Sequence, residues 1–499
     1  MIIIDILHSF GKYKFLKLLL LSLFTALYID FFSLNYIGVL FSYFIFFALS
    51  IGILKDIIFS FKWFIIIFFT IPTLPRNILD AYDALANQLT VYNTISSMPF
   101  LGISMIQWLT MFFLLSFFIL IIKKRILIST RLFNISFLLF LYPFITTLVY
   151  TLLNPASFLF REVITTMRFP LYILLGCFSL AYIIGVKGRD FLCDFLKDIF
   201  LISGLIMCCR IPFFLIMSLY EKTPSLDLGI LATLCFAIIF SLISLRNRFV
   251  FNVFLVPIFF MSILTPSRTH IAMFICCFVL YVILAGVTKN LFFNIIKSVI
   301  AVLFLFFIMA LLNERLYDFF LWKLEDFTFG GDDVGVSDSG LVRFFEFLNI
   351  FDQLKENPWE LVMGRGLCGY FTFDSYPLPF SYDLDLKSYQ EFELSSGKYY
   401  HPHVFVNHLI LKYGLVGLFC YLGAIWSLFR KGLKYRKCNL DFKYIYLVYF
   451  SIYIAIPLVF DLFFRGAYAI IFPFLMYVLH TIKPTLPVLP KTDRLKGLC

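Results

Sequence analysis

The chain has 499 residues, of which 62% are hydrophobic and only 14% charged, with a mean hydropathy of +0.94 and a net charge of +11. A water-soluble globule carries about half apolar and about a quarter charged residues, so this composition excludes one and makes the bilayer the solvent. The positive charge does not indicate nucleic acid, because it gathers at the ends of apolar stretches, as membrane topology requires.

A span needs about 17 to 25 mostly apolar residues, and on that rule the sequence predicts an all-α, polytopic transmembrane helix bundle of about fourteen spans. Their cores fall near 15–30, 34–54, 57–71, 100–122, 132–153, 169–186, 195–219, 227–245, 249–264, 269–287, 291–312, 405–428, 442–460 and 466–482. Three regions follow: a bundle over 1–312, a long extracytoplasmic loop over 313–404, and the final spans with a C-terminal tail over 405–499. The first span has no small-residue cleavage site after it and runs at once into another, so it reads as a retained anchor. Placing Lys12, Lys14 and Lys17 inside puts Lys123–Lys124–Arg125, Lys187 with Arg189, Arg246 with Arg248, Lys289 and the run Arg430 to Lys437 inside as well. Both termini are then cytoplasmic, and the long loop is outside, in the periplasm of a bacterial inner membrane.

Most of the 11 Cys lie in apolar spans, including Cys208–Cys209 and Cys276–Cys277, where the thiol behaves as a small hydrophobe. Cys368 is the Cys of the long loop, so no disulfide framework is expected, and no CxxC metal spacing occurs.

The long loop is acid-rich in a basic chain, which requires it to be solvated. Asp332, Asp333 and Asp338, mixed with Gly330, Gly331 and Gly335, read as a linker. A helix follows, with Leu341, Phe344, Phe345, Leu348 and Phe351 on one stripe and Arg343, Glu346 and Asp352 off it, stopped by Asn357–Pro358. Such a helix lies flat, either over the bundle or on the bilayer surface. A glycine-rich turn, Gly364 to Tyr370, leads on to His401–Pro402–His403. The re-entering stretch from His403 to Gly417 then places Asn407 one helical turn below His403 and Gly414 three turns below, on nearly one face.

Taken in chain order, these elements resemble the O-antigen polymerase and O-antigen ligase superfamily of bacterial membrane glycosyltransferases. The resemblance rests on Thr265 to Phe274 (TPSRTHIAMF), on Arg343 within GLVRFFEF, on Gly364–Arg365–Gly366, and on His403 followed by Gly414 and Gly417. It covers roughly residues 260 to 420, and it implies His403, Arg268 and Arg343 as catalytic residues. The implied substrate is an undecaprenyl-diphosphate-linked oligosaccharide repeat unit in the lipid bilayer, with no cofactor and no metal, and a chain-length regulator protein is the further partner. Val404 stands directly after the histidine, where ligases usually carry a polar residue, which favours polymerase over ligase.

The residues support a related chemistry on their own. Arg76, Arg161, Arg168, Arg268, Arg343, Arg365 and Arg465 all map to the outer side, against the charge bias, and a guanidinium binds phosphate oxygens in bidentate fashion. Arg161, Arg168, Arg365 and Arg465 are therefore expected to contact substrate, as are His401 and Asn407. Arg210, set within a span, must face the bundle or a wet cavity and is a further phosphate ligand in this reading. Headgroup contact is the plainer explanation for any one arginine taken singly. His403 is expected to take the proton from an acceptor sugar hydroxyl, with His401 as the alternative base. Gly364, Gly366, Gly414 and Gly417 are expected to serve packing.

Two rival readings stand beside this one. Asp383 and Asp385, or the acids Asp80 and Asp83, have a spacing that suits a divalent ion, as in metal-dependent glycosyltransferases. A transporter or lipid-linked oligosaccharide flippase also carries many spans and embedded charge, but the sequence has no convincing internal repeat and gives such a protein no use for so long a loop.

Overall fold

A computed structural model describes residues 12–30, 32, 36–71, 94–96, 98–126, 130–155, 159–221, 229–245, 268–285, 296, 300, 304, 338–378, 389, 391–438, 440–461 and 466–482. The described chain is mostly helical, with one small hairpin and a single bridge between Phe371 and Tyr399. In order it runs α1 (Lys12–Asp30), α2 (Tyr36–Lys55), α3 (Ile57–Thr70), β1 (Pro99–Phe100), β2 (Ile103–Ser104), α4 (Met105–Lys123), α5 (Thr130–Leu153), α6 (Phe160–Thr166), α7 (Arg168–Glu221), α8 (Gly229–Ser244) and α9 (Arg268–Ala285). It continues with α10 (Asp338–Lys355), α11 (Pro358–Met363), α12 (Glu391–Ser396), α13 (Phe405–Tyr435), α14 (Phe442–Asp461) and α15 (Gly466–Thr481).

Among the described residues, five helices are long and apolar enough to cross a membrane: Tyr36–Lys55, Met105–Lys123, Glu162–Arg210, Phe405–Tyr435 and Phe442–Phe460. Shorter apolar helices include Leu16–Ile29, Ile57–Thr70, Leu141–Leu153, Leu234–Ser244, Ala272–Ala285 and Gly466–Thr481. The chain is an integral membrane protein. Its helices show why: α2 turns Gly38, Ser42, Phe46 and Leu49 inward at helical spacing, while Tyr36, Leu40, Phe44 and Leu54 stand exposed on the other side. Apolar side chains on the outside belong in lipid, and small ones on the inside let helices approach.

The expected spans 249–264 and 291–312 lie outside the described residues, apart from Ile296, Ile300 and Phe304, as does the linker around Asp332. Spans 169–186 and 195–219 run as the single element α7, broken at Gly188, where φ is 79°. Helix α7 is the centre of the bundle and packs on α1, α3, α4, α5, α8, α14 and α15. At the end where it breaks, Arg189 lies over the Tyr444 ring and Asp190 accepts from the Tyr444 hydroxyl. Lys124 reaches Tyr182 at the same end. Several of the basic clusters expected on one side of the membrane are thus neighbours in space.

The stretch from α10 to His403 forms a small second layer against α5 and the first half of α13, with its own core of Ile350, Leu354, Phe371, Tyr389, Tyr399, Ile410 and Leu411. Helix α10 does not lay its phenylalanine stripe on the bundle: Phe344, Phe347 and Phe351 are exposed, and Val342, Glu346, Asn349 and Ile350 face inward. The polar side wins the interior because it is fully used there. Asn349 donates to Tyr376 O and accepts from Tyr376 N, and Gln353 does the same with Thr372.

Candidate active site

Glu346 is the hub of this layer. Its carboxylate is completely buried on the inner face of α10, and four donors converge on it. The His403 backbone N–H lies 3.1 Å from both oxygens, His403 Nδ1 lies 2.6 Å from Oε1, the Tyr389 hydroxyl donates to Oε1, and Asn407 Nδ2 approaches Oε2 at 3.5 Å. Burial first, and then the carboxylate beside it, push the Tyr389 phenol well above its usual range, so it stays a donor. The Tyr389 ring also meets the His403 ring edge to face, with centroids 4.6 Å apart.

This arrangement assigns the imidazole's tautomer. A carboxylate that accepts from Nδ1–H leaves the basic lone pair on Nε2 and fixes the ring plane. The His403 side chain keeps 20% of its surface exposed, while the Glu346 side chain behind it has none. Helix α13 starts at Phe405 with Val404 at its N-cap, and His403 sits in the turn before it. Asn407 still joins the same site, through Glu346 and through the Arg343 carbonyl at 3.1 Å.

A second histidine cluster lies next to the first. His401 Nδ1 is 3.3 Å from Glu393 of α12, and its Nε2 is 3.3 Å from Glu162 of α6, the latter without the alignment of a hydrogen bond. Both carboxylates are almost completely buried. Glu393 also accepts from Tyr400 N at 2.7 Å. His401 thereby ties the loop to the bundle, which distinguishes it from His403, whose carboxylate partner lies within the loop layer itself.

Below these groups α13 breaks at Gly414, where φ is 62°. The break frees carbonyls of the preceding turn, and the glycine turn occupies them: Arg365 N donates to Leu411 O at 2.8 Å and Gly366 N to Lys412 O at 3.0 Å. The Tyr142 hydroxyl of α5 donates to Tyr413 O at 2.9 Å and to Met363 O at 3.1 Å. Lys412, fully buried, sends its ammonium back to Leu367 O at 2.9 Å and Gly369 O at 2.6 Å. Lys412→Met is therefore expected to strand two buried carbonyls at a cost of roughly 2–4 kcal/mol. Amide hydrogen exchange over 364–370 in the full chain checks this; wild-type protection in the variant contradicts it.

The segment that builds this site matches a known family. Residues 253–422 match the family model described as O-antigen ligase. That stretch contains α9 to the upper part of α13, hence Arg268, Arg343, Glu346, the glycine turn, both histidines, Gly414 and Gly417. Over that segment the chain is similar to the O-antigen ligase family. No curated protein and no solved structure matches it.

The arginines expected from the superfamily pattern have separate surroundings. Arg343 is exposed on α10, one turn before Glu346. Arg365 is engaged within the loop, by Glu360 at 2.7 Å, Tyr370 O at 2.6 Å and Gln353 O at 3.4 Å, and so holds the turn in shape. Arg210 is fully buried and donates to Thr70 O, at the end of α3, at 3.2 Å. Arg168 is exposed at the start of α7, where Gln107 accepts from it once its amide is set to satisfy both neighbours. Arg268 starts α9. Its side chain and that of Arg161 lie outside the described residues, as do Arg465, Arg76, Asp80, Asp83, Asp383 and Asp385. Among the described residues, no group of three or more His, Cys, Asp or Glu is placed to hold a metal ion.

A Cβ on Gly417 would lie 2.2 Å from Tyr413 Cβ and 3.6 Å from Tyr142 Cε1. Sequence reasoning missed Glu346, Tyr389, Lys412, Glu162 and Glu393. One signal was present for Glu346: Glu346, Asn349 and Gln353 recur at spacings of three and four, a polar stripe on a helix that otherwise reads as apolar.

Proposed function

We propose that this chain is an O-antigen polymerase, joining undecaprenyl-diphosphate-linked repeat units of a surface polysaccharide on the periplasmic side of the inner membrane. The observation that carries the reading is the Glu346–His403 pair, a partly exposed imidazole held by a buried carboxylate, inside a segment similar to the O-antigen ligase family.

In this reaction His403 Nε2 takes the proton of an acceptor sugar hydroxyl. The hydroxyl oxygen then forms a bond to the anomeric carbon of the donor glycan, and the bond from that carbon to the phosphate oxygen breaks. Undecaprenyl diphosphate leaves with the electron pair. Its growing negative charge is stabilised by guanidinium groups, with Arg268 and Arg343 as the principal ones and Arg161, Arg168, Arg210 and Arg465 as further candidates. In this assignment Arg365 shapes the turn, Glu346 keeps the His403 proton on Nδ1, and a metal is not required.

Separate His403→Ala, Arg268→Ala and Arg343→Ala variants are expected to express normally and to leave single-unit glycans where wild type makes long chains. Wild-type chain length in all three sinks the site assignment. The family description itself names a ligase, so the second reading is transfer of the finished glycan to lipid A core. Loss of the gene separates the two: without a polymerase, one unit still reaches lipid A core, whereas without a ligase long chains stay on the lipid carrier.

A further inference from the structure

Helix α10 buries Val342, Ile350 and Leu354 but leaves its phenylalanines outside. Its polar stripe, Glu346, Asn349 and Gln353, is turned inward and hydrogen-bonded, while Phe344 is 56%, Phe347 36% and Phe351 41% exposed. Three aromatic rings standing together on one face mark a surface made to meet something apolar. The ridge is preformed, with the Phe347 and Phe351 rings stacked and their centroids 6.0 Å apart.

The charge pattern says what it meets. Residues 343, 347, 351 and 355 form one row at four-residue spacing, so the two central phenylalanines have Arg343 at one end and Lys355, 56% exposed and ion-paired with Asp352, at the other. A cation at each end of an apolar ridge suits an anionic lipid surface, where rings enter the headgroup and acyl boundary and long basic side chains reach phosphates. The ridge is also continuous with the lipid-facing side of the bundle. Trp359 and Val362 of α11 are 49% and 42% exposed, and α11 meets α13 where the Val362 carbonyl would lie 2.4 Å from a Cβ on Gly414. Two residues further along this spanning helix, Val416 and then Phe419 open its exposed apolar face.

We propose that the Phe344, Phe347 and Phe351 face of α10 lies in the headgroup region of the membrane that the bundle spans, with Lys355 at its end reaching anionic lipid. The face is a lipid-binding surface of the loop layer, and it does not depend on which reaction the enzyme performs.

The test places the photo-crosslinking analogue p-benzoylphenylalanine at 344, 347 or 351, one at a time, in the full chain. The analogue keeps a phenyl ring at an exposed position, so the fold is retained, which size-exclusion profiles check. After illumination in vesicles of phosphatidylethanolamine and phosphatidylglycerol, mass spectrometry is expected to find phospholipid adducts at all three positions, several-fold above the same analogue at exposed Glu356. Phosphatidylglycerol adducts are expected to exceed their share of the vesicle, and Lys355→Gln to reduce that excess. Adducts to another protein or to a second copy overturn the proposal, and so does a lipid yield no higher than at Glu356.

Discussion

Replacing Glu346 by glutamine is expected to lower the rate of glycan joining by about 10²- to 10⁴-fold, with little change in the KM for either lipid-linked substrate. The size follows from the geometry. An amide can still accept from His403 Nδ1–H through its oxygen, but its NH2 then points at donors, the His403 backbone N–H and Asn407 Nδ2, which the second carboxylate oxygen receives in the native site. Either the amide or the imidazole must turn, and the population with its lone pair on Nε2 facing the acceptor falls. Substrate binding uses other groups, so the loss belongs in kcat. The measurement is a turnover assay on purified protein in vesicles with lipid-linked repeat units, run beside Glu346→Asp. The shorter carboxylate keeps the charge and restores part of the rate if orientation is what matters. A glutamine variant within a few-fold of wild type removes Glu346 from the mechanism and leaves His403 without its support.

The contrast between what could and could not be read from the chain follows from the two solvents it lives in. Spans were legible because lipid leaves a helix no choice about backbone hydrogen bonds and little about side chains; α14 and α15 fall within a residue or two of their expected limits. Helix α10 was expected to lie flat, either over the bundle or on the bilayer surface, and its Phe344 and Phe351 are exposed. A stripe of Leu341, Phe344, Phe345, Leu348 and Phe351 says core in a soluble protein, but beside a membrane the apolar side faces out and the polar side is free to build a site. His403 was found because its order with Arg343 and Gly414 carries information. Its carboxylate was not, since Glu346 reaches it across 57 residues that only the fold closes. For Arg365 the charge suggested a phosphate, and the fold gives it Glu360, five residues earlier, as a partner.

Gly366→Ala is expected to undock the glycine turn and abolish long-chain product, although the residue touches no substrate in the proposed mechanism. A Cβ on Gly366 would lie 2.4 Å from Thr147 Cα and 2.6 Å from Thr147 N, and φ there is 71°. Backbone meets backbone, so no side chain can swing aside. Thr147 is itself held, its hydroxyl donating to Pro143 O and accepting from Leu367 N at 2.8 Å. Relief requires the turn to leave α5, which breaks that bond along with those from Arg365 N and Gly366 N to the carbonyls above the Gly414 break. Left-handed strain, the clash and stranded hydrogen bonds together cost roughly 3–5 kcal/mol. Gly397→Ala is the control, because Gly397 has a similar φ of 65° and nothing within 4 Å of its Cβ, so it carries only the backbone cost of about 1–2 kcal/mol. Hydrogen exchange at 364–370 should rise steeply in the first variant and stay near wild type in the second. Because the turn holds the start of α13, which carries His403 just above it, glycan chain length should follow the same division. Equal protection and equal chain length in the two variants would show that the turn does not position the histidine.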